Sequence, residues 1–209
     1  MPTIDEMYPI PCAFCRISKA YPNETTTNVP LSPDPERVDP QCHLILSTPL
    51  VLAFLDIMPI SPGHILLTTR KHYRTLGDLY PASDQTWSSR REAEEARDAS
   101  RALGEWLPIV SRALCKVTGI EDWNVVQNNG ERAAQVVPHI HFHLIPRYQE
   151  GREETQRNGR TDWGTLKSWK MFGRGSREDL DDDEGKELAK KLRDAIREEV
   201  ESPVPISKL

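Results

Sequence analysis

The feature that most constrains this chain is the run Pro138-His-Ile-His-Phe-His-Leu-Ile-Pro146, where three of its six histidines fall at alternate positions. Side chains alternate faces along a strand, so His139, His141 and His143 share one face and Ile140, Phe142 and Leu144 the other. Such a strand lays its apolar face on a core and leaves its polar face for chemistry. Neighbours on one face stand about 6.6–7 Å apart, close enough for the imidazoles to surround one small anion. Imidazole titrates near neutral pH and serves as nucleophile, proton carrier or metal ligand.

The rest of the pattern supplies partners for that strand. Spans 43–47 and 50–57 read as strands, the second nearly all apolar, and a third, 64–69, follows the turn Pro59-Ile-Ser-Pro-Gly63. Two more, 123–127 and 136–146, are joined across Asn128-Asn129-Gly130. Residues 84–118 are helical by pattern, with Leu103, Trp106, Leu107, Val110, Leu114 and Val117 at spacings of three and four. Pro108 is predicted to kink or divide that helix, and Gly119 to stop it. A second helix, 179–200, carries a narrow stripe of Leu180, Leu188, Leu192, Ile196 and Val200. The fold class expected is α+β: an antiparallel sheet with one long helix and a C-terminal helical extension. Residues 1–148 form the domain, with a proline-rich insert at about 20–40. A basic, aromatic segment at 149–177 follows, then the acidic helix at 178–201 and a free tail at 202–209.

Composition narrows the function classes. The acidic span 178–201 carries net −6 of a chain total of −5, leaving +1 elsewhere, so no broad basic face offers itself to duplex nucleic acid. The longest apolar run, 50–55, falls far short of the roughly 20 residues a membrane helix needs, and the N-terminus does not read as a secretory signal. Cys12 and Cys15 make a Cys-x-x-Cys pair that reads as metal or redox chemistry before a disulfide. The ending Ser207-Lys208-Leu209 is the peroxisomal import tripeptide, which makes an import receptor an expected partner; a cytoplasmic location is the alternative.

With these residues in place, the chain resembles the histidine triad (HIT) family of nucleotide hydrolases and transferases, over about 12–147. His139 to Ile145 fits its His-φ-His-φ-His-φ-φ motif throughout. Leu52-Ala-Phe-Leu-Asp56-Ile57 is similar to the family's nucleoside-binding strand, and Pro62-Gly-His64 followed by Lys71-His72 to the next one. Asn128, Gly130 and Gln135 stand where the family has its phosphate loop.

The resemblance implies that His141 attacks the α-phosphorus of a nucleotide, forming a nucleotidyl-histidine that water resolves to a nucleoside monophosphate. It implies that His143, Gln135 and Asn128 bind the phosphoryl oxygens, that His139 orients the cluster, that Asp56 accepts the ribose hydroxyls, and that Leu55 and Ile57 sandwich the base. It also implies a structural zinc held by Cys12, Cys15, His72 and His139, with Cys42 and His43 as rival ligands, and a homodimer whose sheets join. Expected substrates are purine nucleoside phosphoramidates or adenylylated conjugates, then dinucleoside polyphosphates. The rivals are a nucleotidyl transferase or phosphorylase, and a nucleotide-binding protein without catalysis. Two positions depart from the family: Val136 replaces its usual Ser or Thr, and Ala134 a common glycine.

Overall fold

The computed structural model describes residues 12–23, 28–80, 89–148 and 179–201. Five strands, β1 (Leu44–Ser47), β2 (Val51–Leu55), β3 (Ile65–Thr69), β4 (Trp123–Gln127) and β5 (His141–Pro146), form one antiparallel sheet in the order β1-β2-β3-β5-β4. Three helices accompany it: α1 (Ala13–Ala20), α2 (Arg90–Thr118) and α3 (Asp182–Glu201). The basic aromatic segment, the tail with Ser207, Lys208 and Leu209, and the start of the long helix expected at 84 lie outside the described residues. No helix among the described residues is long and apolar enough to cross a membrane.

Strand alternation divides the core into two layers. Val51, Ala53, Leu55, Ile65, Leu67 and Leu144 meet α2 and α3 on one face. Leu44, Leu52, Phe54 and Leu66 meet Phe14 of α1 and Tyr21 on the other. The α2 surface pressed on the sheet is rich in alanine (Ala96, Ala99, Ala102, Ala113), which lets backbone and strands approach closely around Leu103, Trp106, Val110 and Leu114. Ser89 caps its N-terminus by accepting from Glu92 N, and Gly119 ends it at a φ of 69°, in the left-handed region where a side chain is strained.

Two features differ from the sequence reading. Pro108 does not divide α2, which runs through it; the residue is exposed, so the carbonyl that loses its N–H partner faces water. The last strand begins at His141, because 131–138 forms a loop containing the 3-10 turn Glu131–Ala133 and left-handed Ala134. The stripe on α3 covers the domain itself: Leu192 and Ile196 are fully buried with Ala189 and Ala195, while Val200 is exposed. Arg193 seals the junction by donating to the Leu44 carbonyl at 2.7 Å.

Candidate active site

Register sets the site. Cross-strand partners Leu66↔His143 and Thr68↔His141 place both histidines on the α1 face of the sheet, over a cleft of about 970 Å³. Phe14, Phe54 and Leu66 give it apolar walls, and Asp56, Ile57, Asn128, His141 and His143 all line it. The two histidine rings meet edge to face with centroids 4.8 Å apart, and Phe14 packs on His141 at 5.1 Å.

A backbone contact assigns the tautomer of His141. Nδ1 of His141 lies 2.6 Å from the His139 carbonyl, an acceptor only, so Nδ1 carries the proton and Nε2 keeps its lone pair. Nδ1 of His64 faces both the Ile60 amide at 3.2 Å and Asp56 Oδ2 at 3.3 Å. Its Nε2 lies 3.0 Å from His143 Nδ1, so the two rings share one hydrogen bond whose direction follows from the protonation of His64. His141 therefore keeps a lone pair on Nε2, beside His143 in the cleft. Burial lowers the pKa of His141 below the usual imidazole value, against the opposing hydrogen bond with the His139 carbonyl, which favours the neutral ring.

Asp56 joins the two ends of the cleft. Its Oδ1 accepts from Met58 N at 2.9 Å and its Oδ2 lies 3.3 Å from His64 Nδ1, so this carboxylate touches the same imidazole that contacts His143. His64 is 1% exposed. The sequence placed it in the Pro-Gly-His motif without a role; its burial and its partners became legible only in three dimensions.

The other expected residues divide. Ile57 is exposed on the cleft wall, but Leu55, although it borders the cleft, is buried in the helix-side core because alternation turns Phe54, not Leu55, toward the α1 face. Ile57 and Leu55 are therefore not a sandwich, and Phe14, Phe54 and Leu66 supply the apolar surface. Gln135 does not line the cleft: its Oε1 accepts from Gly130 N at 2.7 Å and its Nε2 donates to the Arg74 carbonyl at 2.6 Å, bracing the loop from behind. Ala134 holds a φ of 62°, a conformation natural to the glycine it replaces.

His139 turns from the cleft toward the N-terminal segment. Its Nε2 lies 2.9 Å from the Thr69 carbonyl, so Nδ1 is the lone-pair nitrogen. That nitrogen is 3.5 Å from Cys12 Sγ and 3.6 Å from Cys15 Sγ, while His72 Nδ1 is 3.3 Å from Cys15 Sγ. Bonds of 2.0–2.3 Å in a tetrahedral shell put ligand atoms about 3.3–3.8 Å apart, so the two sulfurs and two nitrogens fit a closed metal shell. Hydrogen bonding from Cys15 first, with His139 and His72 and against desolvation by burial, holds the Cys12 thiol well below the usual thiol range, favouring a thiolate. The expected rivals stand elsewhere: Cys42 is buried in the cleft wall and His43 lies under α3.

Residues 38–150 match the HIT domain, and the chain belongs to that family. It is 33% identical over 139 residues to an adenosine 5′-monophosphoramidase of Schizosaccharomyces pombe, covering 66% of this chain and 76% of that protein. It is 32% identical over 136 residues to an adenylylsulfatase of Arabidopsis thaliana, covering 65% of this chain and 52%, about half, of that one. Two solved structures share the fold: a histidine triad nucleotide-binding protein from Sulfolobus tokodaii strain7 (TM-score 0.56, 19% identity, 89% of this chain and 92% of that one) and a Zn-bound histidine triad family protein from Mycobacterium smegmatis (TM-score 0.54, 20% identity, 91% and 96%).

Proposed function

We propose that this chain is a HIT-type nucleotide hydrolase that cleaves nucleoside 5′-phosphate derivatives at the α-phosphorus. The observation that supports the reading is His141 beside His143 in one cleft, its Nδ1 on the His139 carbonyl and a lone pair left on its Nε2. Nε2 of His141 forms a bond to phosphorus as the bond to the leaving group breaks. The Nε2–H of His143 and the amide of Asn128 hydrogen-bond the phosphoryl oxygens as negative charge builds on them. Water then attacks phosphorus, gives up a proton to solvent, and releases the nucleoside monophosphate with His141 restored. Asp56 accepts from the ribose hydroxyls, and Phe14, Phe54 and Ile57 hold the base. Purine nucleoside phosphoramidates or adenylylated conjugates are the substrates, with dinucleoside polyphosphates next.

Cys12, Cys15, His72 and His139 hold a structural zinc in this reading. Bound there, the metal supplies cohesion and no chemistry on the substrate, since four protein ligands leave no open position. His139 faces that site while its carbonyl holds the His141 tautomer, so the cluster braces the nucleophile from behind. The sheet edge at β4, where Trp123 and Val125 are exposed, is the surface for a second copy.

The test is AMP release from adenosine 5′-phosphoramidate and from diadenosine triphosphate, by the intact protein and by His141→Ala. Release that disappears in the variant is expected. Equal release by both proteins, or release by neither, would sink the hydrolase reading, and nucleoside diphosphate formed on adding phosphate would replace it with a phosphorylase.

A further inference from the structure

One wall of the cleft is built by the end of the proline-rich insert, where Val38, Asp39, Pro40, Gln41 and Cys42 line it. That stretch is pinned in place. The Cys42 amide donates to the Pro35 carbonyl at 3.0 Å, the Tyr21 hydroxyl to the Asp34 carbonyl at 2.7 Å, and the Arg16 guanidinium of α1 to the Asp39 carbonyl. Its position along the cleft follows from the sheet. Leu44 pairs with Phe54, and the Leu55 amide donates to the His43 carbonyl at 3.1 Å. The two chains are antiparallel, so the residues before His43 run on beside Asp56 and Ile57. This wall therefore stands at the end of the cleft that holds ribose and base in the reading above.

Gln41 is the uncharged amide of that wall. It is half-buried, and its Oε1 is buried without a hydrogen-bond partner among the described residues. An amide oxygen removed from water without a donor is costly, and nearly all such atoms in folded proteins are paired. The torsion next to the amide is soft, so the group can turn toward a donor that enters the cleft. Resting on the hydrolase reading above, we propose that Gln41 determines base specificity, its Oε1 accepting from the 6-amino group of adenine and its Nε2 donating to the adjacent ring nitrogen. With the ribose on Asp56 and the ring on Phe14, Phe54 and Ile57, the outer edge of the six-membered ring faces this wall. A donor beside an acceptor is the pattern that a side-chain amide meets with two hydrogen bonds. Guanine carries an oxygen where adenine carries the amino group, which sets acceptor against acceptor. The apolar walls grip any purine alike, and the amide supplies the discrimination.

The experiment compares kcat/KM for the 5′-phosphoramidates of adenosine, of purine riboside (adenosine without its amino group) and of guanosine, in the full-length protein, Gln41→Met and Gln41→Asn. The intact protein should favour adenosine over purine riboside about tenfold, through KM rather than kcat, and should favour it over guanosine too. Gln41→Met, similar in length but without the amide, should bring adenosine and purine riboside level. Gln41→Asn, which withdraws the amide by one methylene, should lower the preference as well and carries the test if Gln41→Met fails to fold. Equal rates for adenosine and purine riboside in the intact protein, a preference for guanosine, or a preference unmoved by the substitutions overturns the assignment and leaves the hydrolase standing. Calorimetric titration with AMP and with purine riboside 5′-monophosphate reads the same discrimination without turnover. Discrimination in binding with no cleavage of any substrate sinks the hydrolase reading and keeps the role of Gln41; binding without discrimination overturns that role.

Discussion

On the helix side of the sheet, Val51, Ala53, Ile65, Leu67 and Leu144 press against the alanines of α2 and α3; on the other side, Leu52, Phe54 and Leu66 share their layer with two histidines and an open cleft. The first surface is held by apolar area spread over many residues, any of which contributes modestly. The second combines a smaller apolar cluster around Phe14 and Phe54 with a few polar contacts that place its histidines: His139 with Thr69, His141 with the His139 carbonyl, His64 between Asp56 and His143. Damage to the helix side should therefore appear as lost stability with the chemistry intact, and damage to the cleft side as lost chemistry or a lost anchor.

Removing the metal strains this contrast most. Chelation, or Cys15→Ala, should cost on the order of 5 kcal/mol of unfolding free energy, release α1 and lower activity together. Calorimetry with metal analysis reads it; a metal-free protein with unchanged melting would refute the anchor. Leu67→Ala, in the helix-side core, should cost about 3 kcal/mol by denaturant titration while kcat/KM of the folded protein stays near that of the parent. An equal loss of activity there would show that the two faces are not independent.

How far the sequence revealed these faces depends on what holds each. The helix side was legible because burial repeats with the period of its elements: β3 was read to within one residue of its bounds, and the stripe of Leu192 and Ile196 marked the face on which α3 docks, whether on the domain or on a partner subunit. The four metal-ligand candidates and His141 were legible too, through spacing and family likeness. What stayed hidden was set by long-range contacts. His64 lies far in sequence from His143, Gln135 serves the loop through the Arg74 carbonyl, and Leu55 was assigned to the wrong face although alternation from Phe54 carried the answer. The strand start at 136 failed because residues apolar enough for a strand, Val136 and Val137, lie in a loop shaped by Gly130 and Ala134.

Acid provides a smaller test. His43 is buried beneath Gly185 of α3, facing Asp182, Lys186 and Arg193, and burial lowers its pKa, as it does for His141. The unfolded chain then binds more protons below about pH 6.5, so stability falls as pH drops through that value, by up to about 1 kcal/mol per group for each pH unit. Denaturation midpoints from pH 7.5 to 5.5 should decline, and less so in His43→Gln if that variant folds. A flat profile would contradict buried neutral imidazoles. The smallest effect belongs to the loop. Ala134→Gly relieves a left-handed residue worth about 1–2 kcal/mol and adds roughly 0.5–1 kcal/mol of unfolded-state entropy, so a net gain of about 0.5–1 kcal/mol is expected in melting experiments. A loss instead would show that the Ala134 conformation is not strained.

The central claim is the division of labour between adjacent histidines, His141 attacking and His143 donating. It is tested most directly by mixing the protein with adenylyl substrate, quenching in alkali, and locating the adduct by mass spectrometry. The account predicts one adenylyl group on His141 in the intact protein and in His143→Ala, where slow release should let it accumulate, and none in His141→Ala. An adduct on any other residue, or unimpaired turnover in His141→Ala, would contradict it.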